Sequence, residues 1–246
     1  EELTGAQLIE GYGMSESSPL ATGNPFNRSR ENTVGVPVSD TYLKIMDPDK
    51  GTEMLRQCPF PEAELDKKKP EEQAKYIGEI CISGPQIMKG YLNNPDATNY
   101  ALRKDKDGIL WYYSADIGYL DHEGYLRIKD RKRDMIKYKG HSVFPREVED
   151  LMYQFEPINE VGVYGLRDPD PEIGESINAV VSLKDEYVGK VSVDDIHEWV
   201  QENIAPYKYP RNIKIVKELP KSLIGKVLRR VLRDEEKEDK EADSSS

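Results

Sequence analysis

The sequence predicts an α+β protein in two parts. The first carries a small antiparallel β-sheet or distorted barrel, and the second is a compact α+β domain. Short apolar–polar alternations crowd the stretch from Val34 to Lys129. Beyond Asp130 the pattern becomes helix, strand, strand, helix, strand, helix. The chain, at 246 residues, is long enough for one or two domains with a buried core.

In order, Leu8-Ile9-Glu10 reads as a short strand leading to a turn at Gly13. Val34, Val36, Val38, Leu43 and Ile45 alternate as in strands, and Gly35 and Pro37 keep helix out. Cys58 to Lys75 is rich in Pro, Glu and Lys without an apolar face, which predicts a surface insertion. Ile77 to Ser83 is a strand, and Ile87 to Tyr91 leads into another. Pro95 opens a short helix. Ile109–Ser114, Ile117–Leu120 and Tyr125–Lys129 are strands, with His122-Glu123-Gly124 turning between the last two.

Past the boundary at Lys129-Asp130-Arg131, Val148, Leu151, Met152 and Phe155 share one face of a helix. Val161–Tyr164 and Ala179–Val181 are buried strands, Val193, Ile196, Val200 and Ile204 mark a second helix, and Ile213–Val216 is a strand. A final helix spans Val227–Leu232, giving parts 1–129 and 130–246.

Composition narrows the function. The net charge of −11 argues against a polyanion binder such as a nucleic-acid protein. Part of that charge is local: from Asp234 to Asp243 seven residues are acidic and two basic, which reads as a solvated acidic tail from about 234. Two cysteines and three scattered histidines form no disulfide framework or zinc spacing. No apolar run approaches the ~20 residues of a membrane span, and no signal peptide is visible. The default expectation is a soluble, cytoplasmic protein.

Four polar signatures carry chemistry. In Tyr12-Gly13-Met14-Ser15-Glu16, Gly13 permits a sharp bend, and Glu16 is a carboxylate suited to a hard cation. An ordinary glycine turn with a solvated Glu reads the same. In Ser114-Ala115-Asp116 a carboxylate at a strand end can accept two hydrogen bonds from vicinal hydroxyls, or merely close the strand. Asp130-Arg131-Lys132-Arg133-Asp134 is a charged run where the two folding patterns meet. It can be a hinge, a solvated hairpin or a nucleic-acid patch, the last weakened by the interspersed aspartates and the lack of a stacking platform. In Pro220-Lys221-Ser222-Leu223-Ile224-Gly225-Lys226, a flexible ammonium beside a glycine can neutralise developing phosphate charge, although Lys226 with Arg229, Arg230 and Arg233 also fits a plain basic helix surface.

In this order, from about Gly11 to about Leu232, the signatures resemble the adenylate-forming superfamily, and within it the acyl-CoA synthetases of the fatty-acid–CoA ligase type. The family's Gly-rich, Ser/Thr-rich phosphate loop lies upstream of the first motif and is absent here. The resemblance therefore implies the C-terminal portion of a larger enzyme: residues 1–129 end its large AMP-binding domain, and 130–246 are its small mobile domain. ATP, Mg²⁺ and coenzyme A are the implied cosubstrates and cofactor, and a carboxylic acid, specifically a fatty acid, the implied substrate. The fragment alone is expected to be inactive in adenylation.

By resemblance, Tyr12 stacks on adenine, Ser15 contacts the α-phosphate, Glu16 holds Mg²⁺, and Asp116 and Arg131 contact ribose. Asp130 is the hinge, the loop around Gly140 lines the pantetheine tunnel, and Lys226 serves adenylation. The family commonly has Gly where Ala115 stands, so the backbone there is the point to watch. A peptide-synthetase adenylation domain, a luciferase-like enzyme and a non-enzymatic binding module remain as alternatives.

Overall fold

The computed structural model describes residues 5–223 and 225–244, the side chains of 237–244 excepted. The chain divides into two compact units, Glu1–Arg133 and Asp134–Ser246.

In the first unit, β1 (Gly11–Gly13), β2 (Leu20–Gly23) and β3 (Val36–Pro37) form a three-stranded antiparallel sheet. The strand expected at Leu8–Glu10 lies at Gly11–Gly13 instead. Gly13 can only be glycine, because a Cβ there would sit 1.8 Å from the Pro19 carbonyl oxygen, which accepts the Met14 amide.

The larger sheet has the order β4 (Tyr42–Met46), β5 (Gly78–Ser83), β7 (Leu110–Leu120), β6 (Leu102–Lys104), with β8 (Leu126–Arg131) also on β7. All its pairings are antiparallel. It is an open sheet; among the described residues no barrel closes. Between β4 and β5 stand two short helices, α1 (Glu62–Leu65) and α2 (Pro70–Gln73), and α3 (Pro95–Ala101) precedes β6.

Three expectations are corrected here. Cys58 to Lys75 is not a bare surface insertion: Cys58 and Leu65 are fully buried, and Glu62 and Asp66 pair with Arg127 and Lys129 of β8. Charged side chains dock this segment, and hydropathy does not register such packing. The segment Ile87–Tyr91 forms no strand. The two strands expected over Ile109–Ser114 and Ile117–Leu120 are one, β7, bent at Ala115.

The second unit opens with the hairpin β9 (Ile136–Tyr138) and β10 (His141–Val143), followed by α4 (Pro145–Met152). Its main sheet pairs β11 (Ile158–Arg167) antiparallel to β12 (Glu175–Leu183), and β12 parallel to β13 (Asn212–Ile215). Helix α5 (Val193–Asn203) joins β12 to β13 and starts at a capping box between Ser192 and Asp195. Val148, Met152, Val163, Ile177, Val181 and Ile196 meet in one core. The last helix, α6, spans Arg229–Ser244 rather than Val227–Leu232. It runs on through the stretch expected as a tail, with Arg230 and Asp234 paired one turn apart.

Candidate active site

The first cluster is built around the bend in β7. Residues on its first half alternate between two faces: Trp111 and Tyr113 pack with Met46 and Cys81, whereas Tyr112 packs in the cluster that contains Tyr12. At Ala115 the backbone takes φ +58°, the left-handed region that glycine enters more easily. Opposite β5, Glu79 pairs with Ile117 and Cys81 with Tyr113, so the chain bulges between them. Ser114 Oγ donates to the Ile80 carbonyl at 2.8 Å and accepts the Asp116 amide at 3.1 Å. The bulge re-aims Asp116, and the alanine accepts the strain.

The Asp116 carboxylate receives the Tyr12 hydroxyl at 2.7 Å and faces the Arg131 guanidinium at 3.9 Å. Burial raises its pKa above the ordinary carboxylate value; the Tyr12 hydrogen bond and the Arg131 charge pull the other way without cancelling it. Tyr12 is itself buried. Burial first, and then the neighbouring Asp116 charge, push its pKa up, which keeps it a donor. Tyr12 thus orients the carboxylate, a contact that the expectation of a ring stacked on adenine did not contain.

Behind the bulge lies a pair that sequence reasoning missed. The buried Glu79 accepts the Ala115 amide at 3.2 Å and the Lys132 ammonium at 2.7 Å. The Lys132 amide returns to the Ala115 carbonyl at 2.8 Å. Asp130 is buried within β8, accepts the Arg131 amide at 2.8 Å and pairs with Ile117. Arg131 is the last residue of the strand, opposite Asp116, and turn residues Lys132–Asp134 follow.

Ser15 and Glu16 lie in a single 3₁₀ turn, Ser15–Ser17, after Gly13. Ser15 is exposed. Glu16 Oε1 accepts the Tyr91 hydroxyl at 2.8 Å, and the Glu16 carbonyl accepts the Met88 amide at 2.9 Å. Burial, and next the hydrogen bond to Glu16, raise the Tyr91 pKa. Tyr91 is a second group that the sequence reading missed, because it is 75 residues from its partner. A single partly exposed carboxylate fits a magnesium ion that takes its other ligands from phosphate and water. The unit also holds a cavity of ≈ 520 Å³ lined by Tyr42, Pro85, Ile87, Ile109, Leu110 and Trp111, and none of the expected site residues lines it.

In the second unit, Lys139 and Gly140 form the tip of the β9–β10 hairpin, with φ of +48° and +78°. A Cβ on Gly140 would meet nothing within 4 Å. The glycine is therefore required by its backbone conformation, and the space beside it is open.

Lys226 is exposed in a loop ahead of α6, not on the helix as one sequence reading had it. Ser222 accepts the Lys226 amide on its hydroxyl at 3.1 Å and donates its own amide to the Lys226 carbonyl at 2.8 Å. Gly225 stands at φ +78° and donates to the Ser222 carbonyl. Arg229, by contrast, is a structural residue, with its guanidinium doubly bonded to Glu149 of α4. The structure brings Tyr12, Asp116 and Arg131 together in one unit, and Gly140 and Lys226 belong to the other.

Comparison with known proteins follows the same division. Residues 1–92 match the family described as AMP-binding enzyme, and residues 147–226 match its C-terminal domain. The long-chain-fatty-acid–CoA ligase of Bacillus subtilis (strain 168) is 38% identical over 240 residues, covering 97% of this chain and 38% of that protein. The 4-coumarate–CoA ligase 1 of Oryza sativa subsp. japonica is 37% identical over 238 residues, covering 94% of this chain and 38% of its own length. Among solved structures, the ATP-bound MatB from Rhodopseudomonas palustris superposes with a TM-score of 0.75 at 27% identity, over 94% of this chain and 41% of that one. The chain thus spans well under half the length of the relatives it matches.

Proposed function

We propose, for a chain that belongs to the AMP-binding enzyme family, that it serves as the C-terminal portion of an ATP-dependent acyl-CoA synthetase. In the first step a carboxylate oxygen attacks the α-phosphorus of ATP and the bond to pyrophosphate breaks. In the second, the coenzyme A thiolate attacks the acyl carbon, and AMP leaves with the bonding electrons. The observation that carries the reading is the Asp116 carboxylate, desolvated and held by Tyr12 at 2.7 Å beside Arg131. Aimed by a bulge, it is suited to accept both hydroxyls of a ribose.

Phosphoryl chemistry of this kind asks the protein to position groups and stabilise charge. Asp116 and Arg131 hold the sugar, and Ser15 offers a hydroxyl to the α-phosphate. Glu16, steadied by Tyr91, is placed to ligate magnesium, whose charge would offset that of the phosphates. Lys226 serves the first step by countering negative charge on the reacting oxygens. The open backbone at Gly140 serves the second by letting a narrow pantetheine arm approach. A pivot at Asp130 lets the second unit present each in turn. By itself the chain is inactive in adenylation, since no Gly-rich phosphate loop occurs in its sequence. A fatty acid is proposed as substrate on the name of the B. subtilis relative.

The test is Lys226→Ala in the full-length protein, with pyrophosphate and thioester measured separately. Acyl-adenylate formation is expected to fall on the order of 10²-fold or more. Thioester formation from supplied acyl-adenylate should stay near the unaltered rate. Equal losses in both half-reactions would overturn the division of labour.

A further inference from the structure

A five-residue segment, Tyr207–Arg211, touches the β9–β10 hairpin and the helix after it at three places. The Tyr207 ring lies edge-on to His141 in β10, with centroids 5.6 Å apart. Arg211 Nη2 donates to the hydroxyl of Tyr138, the last residue of β9, at 3.0 Å, and its guanidinium lies 4.0 Å over the Tyr209 ring. Lys208 is 5% exposed, and its ammonium bonds Glu147 in the first turn of α4 at 2.5 Å. Burial alone would lower the Lys208 pKa; the charge and hydrogen bond of Glu147 outweigh it, and the ammonium stays protonated.

The tip between those legs is held by a single backbone bond, the Lys139 amide donating to the Ile173 carbonyl at 2.8 Å. Lys139 and Gly140 are both left-handed, and open space surrounds the Gly140 Cα on its side-chain side. The direction of the tip is therefore set by its legs together with that one backbone bond. Both legs and the following helix are braced by side chains of this one segment, whose backbone also joins the main sheet where the Arg211 amide donates to the Ile177 carbonyl at 2.8 Å.

From this geometry we propose that Lys208 and Arg211 are positioning residues for the thioester step, acting through the Lys139–Gly140 tip. The inference rests on the reading of the chain as part of an acyl-CoA synthetase. A buried ion pair can also serve only to hold a helix in place, and that role would not distinguish one half-reaction from the other.

Two variants of the full-length protein separate these cases: Arg211→Leu, and the double variant Lys208→Met/Glu147→Leu, which leaves no unpaired buried charge. Circular dichroism verifies folding, and Arg211→Lys, which keeps the cation but loses the planar fork, stands in should Arg211→Leu unfold. Acyl-adenylate formation from a fatty acid and ATP is expected to stay within about twofold. Thioester formation from supplied acyl-adenylate and coenzyme A is expected to fall by roughly tenfold to a hundredfold, the cost of a catalytic element displaced by about an ångström. Folded variants that lose both half-reactions equally, or neither, overturn the proposal and leave the parent reading standing. An unaltered protein that performs neither half-reaction removes the parent reading, and this inference with it.

Discussion

Asp116 and Lys226 stand at the two ends of the proposed chemistry and are built in opposite ways. Asp116 is fixed mainly by side chains far away in sequence, Tyr12 on its oxygen and Glu79 with Lys132 behind its bulge, while its neighbour Ser114 takes its amide. Lys226 is held by short-range bonds to Ser222 within an exposed loop, whose base packs through Leu219, Val227 and Leu232 and whose Lys221 pairs with Glu160. A group that must meet the same sugar in both steps gains from being fixed and desolvated before the ligand arrives. A group wanted in one step gains from contacts that travel with it. Cheap local contacts are the physical form of that difference.

The sharpest way to break the comparison is to unpair the buried carboxylate. Lys132→Met keeps the aliphatic stem and leaves Glu79, fully buried, without its cation. Removing one partner of a buried pair costs on the order of 3–5 kcal/mol, and the partial exposure of Lys132 brings the expectation to about 2–4 kcal/mol. Urea unfolding of the chain measures it. A loss under about 1 kcal/mol would mean the bulge does not depend on this pair, and that Asp116 is no more firmly built than Lys226.

Asp116→Asn tests the desolvation itself. Because burial raises the folded pKa of Asp116 above its unfolded value, ionising it works against the folded state. The penalty is fully present above the raised pKa and vanishes below the unfolded one. The amide variant should therefore be more stable than the parent at pH 7. The advantage should shrink to nothing as pH falls through the carboxylate range. Thermal melts across pH 3–8 follow it, and nucleotide binding by the full-length protein should weaken at the same time. An Asn variant less stable at neutral pH would show that the Tyr12 and Arg131 contacts, not desolvation, dominate the site.

What could be read from the sequence follows the same line between local and distant. Asp116, Gly13 and Gly140 announce themselves because the chemistry of each is written in its immediate neighbours. Ala115 drew attention only through the family resemblance, which commonly has glycine there, and its backbone is indeed left-handed. Glu79 did not, since its partner Lys132 lies 53 residues away and a lone Glu in an apolar strand carries no sign of pairing. The strands of the second unit were legible because β11 and β12 carry the short apolar runs Val161–Tyr164 and Ala179–Val181. The segment around α1 was misread because its acids Glu62 and Asp66 attach it to β8 through ion pairs with Arg127 and Lys129. Helix α6 was read too short because its acidic half has no apolar stripe, and backbone helicity there needs none.

The smallest expected effect tests the other side of the comparison. Leu223 sits at the tip of the Lys226 loop and is fully exposed, at 108% of its reference area. Single exposed apolar residues are common and carry no energetic debt in themselves, so exchanging this one for a polar residue removes no buried contact. For Leu223→Ser the unfolding free energy of the chain should therefore move by less than about 0.5 kcal/mol, with the denaturant slope unchanged. A destabilisation above 1 kcal/mol would place the tip in the packed body of its unit. Lys226 would then be as firmly embedded as Asp116, and a loop so embedded could not serve one half-reaction and withdraw for the next.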